Sequence, residues 1–181
     1  QEEQKKVTLL GSSANYETIN SFELAAGQWF SETDDERSKR VVVLGAEITN
    51  ELFGQIDAVG KKIKIEGQTY RVSGVLEKKG GGFGGPSFDN YVYLPINTLF
   101  DDFNTELIDN FSFKIKDQTL IDEAVKGIEQ TLYDENLEED EFSVFDQTQL
   151  LDTINSILGV LTAGLGAIAA ISLVVGGIGI M

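Results

Sequence analysis

The chain has 181 residues, enough for one ordinary domain or two small ones together with a membrane segment. Its 30 acidic and 14 basic residues give a formal charge of −16, which repels a phosphate backbone and excludes nucleic acid as an expected partner. Cysteine and histidine are absent, which removes disulfides, thiolate or imidazole metal sites and the usual nucleophile–base pairs, so we expect a non-catalytic chain.

The first predicted elements are a strand, a helix and a hairpin. The β-branched run at 40–44 is stopped by Gly45, and residues 46–53 then place Ile48, Leu52 and Phe53 on one helical face. Lysine and isoleucine alternate along 61–66, a turn follows, and 69–76 alternates again. The pattern predicts a β-rich subdomain whose hairpin has one face in water.

A glycine-rich loop separates this hairpin from the next strand. Residues 80–88 contain Phe83 and Phe88 among seven glycine, proline and serine positions. Such a loop suits an adaptable contact with a partner or cargo, and it is equally typical of a long hairpin tip. Residues 91–94 then read as a strand closed by Pro95, and 96–103 as a short helical turn.

A second compositional unit begins near Thr105. Residues 109–116 alternate in strand fashion, and Thr119 is placed to cap a helix over 120–133 with an apolar stripe. Residues 141–145 offer one more strand. Together these segments predict a β-α-β unit that leads into the last part of the chain.

The last part of the chain is predicted to be a membrane-spanning helix over 157–181. These 25 residues carry no charge, and at a rise of ~1.5 Å each they would span roughly 37 Å, enough for a hydrocarbon core of about 30 Å. The alternative is a buried helix of a soluble protein, but such helices rarely run this long without a charge. Six glycines suit close helix packing in lipid: Gly159, Gly164, Gly166, Gly176, Gly177 and Gly179.

An amphipathic stalk is predicted at 147–156, where Leu150, Leu151 and Ile154 recur at helical spacing. All basic residues lie at or before Lys126, and the region from 127 to 152 holds nine acids and no base. Because excess lysine and arginine mark the cytoplasmic flank of a span, an acidic flank fits a chain that enters the membrane from outside. We therefore expect residues 1–156 to lie outside the cytoplasm.

Two possible ligand motifs do not meet their requirements. The glycines at 54 and 60, followed by Lys61, superficially match a phosphate-binding loop, but five residues separate them and Lys62 stands where a hydroxyl must hold magnesium. The acidic clusters at 34–36, 101–102 and 138–141 lack the spacing of a calcium-binding loop, and solvated loops are the better interpretation. We expect no cofactor or metal in this chain.

The residues also carry a family resemblance. The segments that carry it are 24–30, RVVVLG at 40–45, LFG at 52–54, VGKKI at 59–63, YRVSGVL at 70–76 and AAISLVVGGIGIM at 169–181. The chain resembles part of a MacB-type permease, within the MacB/FtsX/LolC-like group of ABC transporter subunits. Gln28 stands where arginine is usual in that family, and Ala58 where proline is common.

The resemblance implies an α+β extracytoplasmic domain followed by a stalk and the second of four transmembrane helices. The implied parts are 1–22 as a strand and connection of a truncated porter-like part, 23–98 as a β-rich inserted subdomain, 99–146 as a porter-like β-α-β half, 147–156 as the stalk and 157–181 as the span. The first membrane helix and the first porter half would be missing, which predicts an unpaired sheet edge.

The function that the resemblance implies is part of a dimeric permease. A cytoplasmic ATPase, separate or fused, would bind ATP and Mg²⁺ and drive export of a peptide, lipopeptide, lipoprotein or hydrophobic drug. Implied partners are that ATPase, membrane lipid, a second permease subunit, identical or paralogous, and an outer adaptor protein. The alternative is an FtsX-like regulatory scaffold that activates a cell-wall hydrolase.

Overall fold

The computed structural model describes residues 7–81 and 87–180, which form two compact units, Gln1–Lys114 and Ile115–Met181. The first unit contains a six-stranded sheet with helices, and the second contains two helices. The α+β class predicted from the sequence is confirmed. The predicted boundary at 98/99, between the inserted subdomain and the porter-like half, stays a prediction. The two compact units meet at a different position, 114/115.

The first unit contains six strands and four short helices. The strands are β1 (Thr8–Ser12), β2 (Leu24–Gly27), β3 (Val41–Leu44), β4 (Lys62–Ile65), β5 (Gln68–Leu76) and β6 (Tyr91–Pro95). The helices are α1 (Tyr16–Asn20), α2 (Glu32–Glu36), α3 (Ala46–Phe53) and α4 (Ile96–Phe103). The predicted β3–α3 unit, the β4–β5 hairpin, β6 and α4 are thus confirmed.

The sheet is mixed, with the strand order β1-β6-β3-β5-β2. The β1–β6 and β3–β5 pairs are parallel, whereas β3–β6 and β2–β5 are antiparallel. Strand β4 pairs only with β5, antiparallel, along Gln68–Arg71. It therefore shares one edge of β5 with β2, and β3 occupies the other edge.

The alternation of side chains along β3 divides the core between the two faces of the sheet. Val42 and Leu44 belong to the larger apolar cluster with Ile48 of α3, whereas Val43 belongs to a second cluster. All four side chains are buried, with relative exposures of 0 to 1%. A strand covered on both faces reads as a continuous apolar run, which is why the sequence of β3 shows no polar alternation.

The second cluster is built from aromatic rings. We define the aromatic cluster as Phe22, Trp29, Phe30 and Tyr93, whose rings contact one another around Trp29. The centroid of the Trp29 ring lies 4.8 Å from that of Phe30, 5.4 Å from Tyr93 and 6.1 Å from Phe22. Tilted and stacked ring contacts at these distances are favourable beyond the area that they bury.

Glycine is required where β2 meets β5. Gly27 has a φ of +76°, and a Cβ atom there would lie 2.2 Å from the carbonyl oxygen of Ser73. The next residue, Gln28, donates its backbone N–H to the same oxygen at 2.9 Å. The close approach of the two backbones therefore depends on the missing side chain.

A polar network fastens α4 to the sheet. The Asp102 carboxylate accepts bidentate hydrogen bonds from the Arg40 guanidinium, and the Tyr70 hydroxyl donates to it at 2.7 Å. The Asp102 side chain is 6% exposed, and the Arg40 side chain is 47% exposed. Hydrogen bonding from Arg40 holds the pKa of Asp102 below its usual value.

The second unit begins with a short 3-10 turn, Gln118–Leu120, and helix α5 (Ile121–Asp134). The predicted cap was Thr119, but in the structure Asp117 caps the 3-10 turn, and α5 has Leu120 at its N-cap without a side-chain hydrogen bond. The Asp117 carboxylate accepts the Thr119 N–H at 2.9 Å and the Thr119 hydroxyl at 2.8 Å. The helix itself lies one residue from its predicted bounds.

Two predicted strands, 109–116 and 141–145, are not strands in the structure. Phe111 and Phe113 are exposed, and no described backbone pairs with either segment as a ladder. Alternating side chains supply the pattern of a strand, but a strand also needs a hydrogen-bonding neighbour. Of the predicted β-α-β half, the structure contains the helix, α5, and neither of the two strands.

The chain ends in one continuous helix, α6 (Gln147–Ile180). The predicted stalk and the predicted span as far as Ile180 lie in this helix without a break, and Met181 lies outside the described residues. The segment Thr153–Leu173 of α6 is long and apolar enough to cross a membrane, and it begins four residues before the predicted start at 157 because 153–156 also lack charge. The described side chains of this segment are almost all exposed, as expected of a lipid-facing helix.

Candidate functional site

A groove opens beside the aromatic cluster, and its volume is about 540 Å³. Five separate segments of the chain line it: the end of β2, the α2 region, the start of β3, the loop before β4 and the middle of β5. The lining residues are Gly27, Gln28, Trp29, Asp34, Lys39, Val41, Val59, Arg71, Val72 and Ser73. The volume lies within the usual range for ligand pockets.

The α2 side of the groove is held by a capping box. The Ser31 hydroxyl accepts the Asp34 N–H, and the Asp34 carboxylate accepts the Ser31 N–H at 2.9 Å. Lys39 forms an ion pair with the same carboxylate. The hydrogen bonds from Lys39 and Ser31 lower the pKa of Asp34 to about 2. Asp34 is therefore ionised at neutral pH, and its negative charge is balanced by the positive charge of Lys39.

The β5 side of the groove combines a cation with polar atoms. Arg71 is exposed at its edge, and the Ser73 hydroxyl donates to the Val42 carbonyl oxygen at 3.2 Å. Trp29 is 7% exposed, and its indole N–H has no hydrogen-bond partner in the described structure. Of these groups, Arg71 is the exposed one, and its guanidinium can bind an anionic group at the edge of the groove. Within the described part of the chain no cluster of three acidic residues is placed to hold a metal.

The glycine-rich loop is anchored at its base. The buried Asp89 carboxylate accepts the N–H groups of Lys79 at 2.8 Å and Gly80 at 2.9 Å. The Lys79 ammonium donates to the Asn20 carbonyl oxygen and lies 4.5 Å from the Phe22 ring centroid. The base of the loop is therefore fixed to the aromatic cluster.

Of the two predicted contact residues in this loop, only Phe88 is described, because Phe83 lies outside the described residues. Phe88 was predicted to lie on a loop suited to an adaptable contact, but its ring is half-buried and its centroid lies 5.4 Å from that of Phe22. The ring packs there because the 3-10 turn Phe88–Asn90 contains the Asp89 anchor. Its role as a contact residue stays a prediction.

The predicted stalk and packing residues all lie in α6. Leu151 is 58% exposed and Ile154 is half-buried, while the side chain of Leu150 lies outside the described residues. A Cβ added at three of the glycines, Gly159, Gly164 and Gly166, would meet nothing within 4 Å. Gly176, Gly177 and Gly179 also lie in α6. The predicted helix packing needs a neighbour in the membrane and stays a prediction.

Sequence reasoning missed the groove because its residues come from distant segments. Gln28, Asp34 and Arg71 are brought together by the β2–β5 pairing and by the position of α2, and no short motif contains them. Gln28 did give one signal, since it departs from the residue usual in the resembling family.

The family profile of the MacB-like periplasmic core domain matches residues 1–131, which is most of the chain. The chain belongs to this family. The sheet with its helices and the start of the second unit are therefore a MacB-like core domain, which lies outside the cytoplasm, and the apolar helix that follows fits a membrane protein.

Curated relatives of this MacB-like domain are ABC transporter permeases. The uncharacterised permease YknZ of Bacillus subtilis is 31% identical over 99% of this chain and 45% of its own length. MacB of Bdellovibrio bacteriovorus, a macrolide export ATP-binding/permease protein, is 32% identical over 96% of this chain and 27% of its own length. The pyoverdine exporter PvdT of Pseudomonas aeruginosa is 29% identical. The chain spans less than half the length of these relatives.

Solved structures show the same MacB-like fold. The extracellular domain of YknZ superposes with a TM-score of 0.68 at 25% identity, covering 81% of this chain and 73% of that one. The periplasmic region of MacB from Actinobacillus actinomycetemcomitans gives a TM-score of 0.60 at 18% identity, covering 81% and 64%. The second likeness shows the fold alone. The permease family and the extracytoplasmic domain predicted from the sequence are confirmed.

Proposed function

We propose that this chain forms the extracytoplasmic domain and the adjoining membrane helix of an ABC exporter. ATP hydrolysis by a cytoplasmic ATPase, separate or fused, would be coupled through the helix to extrusion of a peptide, lipopeptide, lipoprotein or hydrophobic drug. The proposal is supported by the family match together with relatives described as macrolide and pyoverdine exporters. ATP and Mg²⁺ would bind to the ATPase, so this chain would take no catalytic part.

The observation that supports coupling most directly is the unbroken course of α6. One helix contains both the predicted stalk and the candidate span, Thr153–Leu173, without a proline or a turn between them. Tilting such a helix at one end moves its other end, because its backbone hydrogen bonds resist bending. We expect a dimer in which two such helices move against each other within membrane lipid, with an outer adaptor as a further partner.

The experiment is a reversible crosslink between the stalks of two subunits. In the full-length permease, reconstituted with its ATPase, Thr153→Cys would be oxidised to a disulfide between the two copies. Thr153 is exposed, and the chain contributes no other cysteine. We expect ATP binding to persist and transport to stop, and transport to return when the disulfide is reduced. Continued transport at complete crosslinking would contradict the coupling.

A regulatory scaffold of the FtsX type is distinguished by what the assembled protein does. An exporter moves a labelled peptide, lipopeptide, lipoprotein or drug across vesicle membranes in an ATP-dependent manner. A scaffold instead activates a cell-wall hydrolase and moves none of these cargo classes. Hydrolase activation without transport by the reconstituted permease would overturn the export proposal.

A further inference from the structure

Three cations share one face of the β4–β5 hairpin. Lys62 pairs directly with Arg71 across the two strands, and Lys64 pairs with Thr69. Since directly opposite and alternate residues point to the same side of a sheet, all four side chains lie on one face. They are exposed, whereas Ile63 and its opposite residue point to the other side. We call these four residues the cationic face.

Among the described residues, the cations of this face have no acidic partner. In residues 7–81 and 87–180, the ion pairs observed are Lys39–Asp34 and Arg40–Asp102, and none involves Lys62, Lys64 or Arg71. The chain as a whole carries 30 acidic residues, so carboxylates are abundant. Like charges placed opposite each other destabilise a strand pair, and Lys62 and Arg71 are such a pair. The arrangement therefore costs stability that an acidic residue at either position would restore.

Protection of an exposed edge accounts for only part of the face. Lysines on an edge strand discourage unwanted strand pairing, and β4 pairs only with β5. Arg71 is different, because β5 is flanked by β3 and β4 on its two sides at this position. Arg71 also lines the groove that contains Gln28, Trp29 and Ser73. The cationic face therefore adjoins the groove, and Arg71 belongs to both.

We propose that the cationic face and the adjoining groove form a docking surface for an acidic, extended polypeptide segment of another protein. Lys62 and Lys64 are two strand positions apart, about 6.6–6.8 Å along the strand, which matches carboxylates on alternate residues of an extended segment. The groove beyond Arg71 then receives neighbouring side chains against the Trp29 and Gln28 walls. A layer of lipid headgroups presents charge but fills no groove. The proposal holds whether or not the permease exports a cargo.

The test measures peptide binding to the full chain in neutral detergent micelles. The probe is a fluorescein-labelled 12-residue peptide with glutamate at alternate positions, and the same peptide with glutamine is the neutral control. We expect the acidic peptide to bind and the glutamine peptide to fail. Binding should weaken as salt is raised, because exposed charges are screened. Failure of the acidic peptide to bind would overturn the proposal.

The matched variants are two triple charge reversals that change the formal charge equally. Lys62→Glu/Lys64→Glu/Arg71→Glu removes the face, and Lys78→Glu/Lys116→Glu/Lys126→Glu removes three exposed lysines elsewhere. We expect the first to weaken peptide binding by about tenfold or more and the second to change it little. Equal losses in both variants would mean a general charge effect and contradict the site. The milder Lys62→Gln/Lys64→Gln/Arg71→Gln variant, with its circular dichroism spectrum, excludes misfolding as the cause.

Two further arms distinguish other occupants. In one, micelles that contain phosphatidylglycerol replace the peptide. In the other, sedimentation detects association of the chain with itself through the acidic residues at 138–141. Preferential binding to anionic lipid, or self-association that the first triple variant abolishes, would each overturn the proposal of an acidic segment from another protein.

Discussion

Asp102 joins three elements through one carboxylate. Asp102 lies in α4 and accepts hydrogen bonds from Arg40, which immediately precedes β3, and from Tyr70 in β5. A nearly buried carboxylate with two donors is a strong interaction, and removing its charge leaves the donors poorly matched. The nearby Asp101 is exposed and provides a natural comparison.

We predict that Asp102→Asn lowers the free energy of unfolding of the first unit by about 1–3 kcal/mol, whereas Asp101→Asn leaves it nearly unchanged. Because Arg40 is half-exposed, solvent screening favours the lower end of that range. Urea denaturation followed by circular dichroism measures both variants. An equal loss of stability in the two would show that α4 is not fastened by this carboxylate.

The same network predicts a pH dependence with a defined sign. Because Arg40 holds the pKa of Asp102 below its usual value, the folded state favours the charged carboxylate. Its contribution is complete above the unfolded pKa of about 3.9 and is lost as the pH falls through the lower folded value. The stability difference between wild type and Asp102→Asn should therefore stay constant from about pH 5 to 8 and close below about pH 4.

At the scale of elements, α6 has to transmit motion without a hinge. A proline in its interior would remove a backbone hydrogen bond and clash with the preceding turn. Ser156 lies at the predicted junction of stalk and span, and its side chain is exposed, so substitution there does not disturb a core. It is the position where a kink should separate the two parts of the helix.

We predict that Ser156→Pro lowers transport by the full-length permease more than about tenfold, since roughly 3 kcal/mol of helix stability is lost at the junction. Ser156→Ala, which keeps the helix, should leave transport unchanged. ATP hydrolysis is measured in the same vesicles. Hydrolysis that continues without transport indicates loss of coupling, whereas loss of both indicates loss of the folded protein. If the proline variant transports normally, a rigid α6 is not required.

Elements with local signals were predictable, and elements that depend on distant partners were not. The β-branched run of β3 ends at Gly45, and the alternation of the β4–β5 hairpin surrounds its own turn, so both could be predicted from short windows. The parallel pairing of β1 with β6 joins residues about 80 positions apart and left no trace in either segment. The alternation at 109–116 predicted a strand for which the described chain supplies no partner.

The candidate functional residues also include some that a local pattern predicts and some that depend on distant strand pairing. The apolar length of α6 is a local property, and the sequence therefore predicted the span. The groove depends on the β2–β5 pairing that brings Gln28 next to Ser73, at a point where Gly27 allows the two backbones to approach. The unpaired cations of the hairpin were visible as an alternation of lysine and isoleucine, but the opposite position of Arg71 required the strand register.

At the scale of the whole molecule, the sheet and both apolar clusters belong to the first unit. All six described strands lie between Thr8 and Pro95, and α4 closes over one face. A unit with its own core can fold alone. The second unit contributes two helices, of which α6 contains the candidate membrane span.

We predict that a chain ending at Lys114 folds in water without detergent, because it retains every strand among the described residues and both clusters. Dispersed amide signals in nuclear magnetic resonance spectra and one cooperative urea transition would show this. The remaining segment, 115–181, should be helical only in detergent. A disordered spectrum for the shorter chain would mean that the first unit depends on the second.

Trp29 is the chain's one tryptophan, and it sits almost fully buried in the aromatic cluster at the groove. Its fluorescence emission therefore originates wholly in the first unit, whereas the longest helix, α6, contributes its ellipticity from the second. Two optical signals from one unlabelled sample thus differ in origin: the emission reports on the first unit, and the larger share of the helical signal comes from the second. A ligand that enters the groove would shift the wavelength of the Trp29 emission and leave the ellipticity of α6 unchanged. Binding at the groove could therefore be measured by fluorescence without an added label.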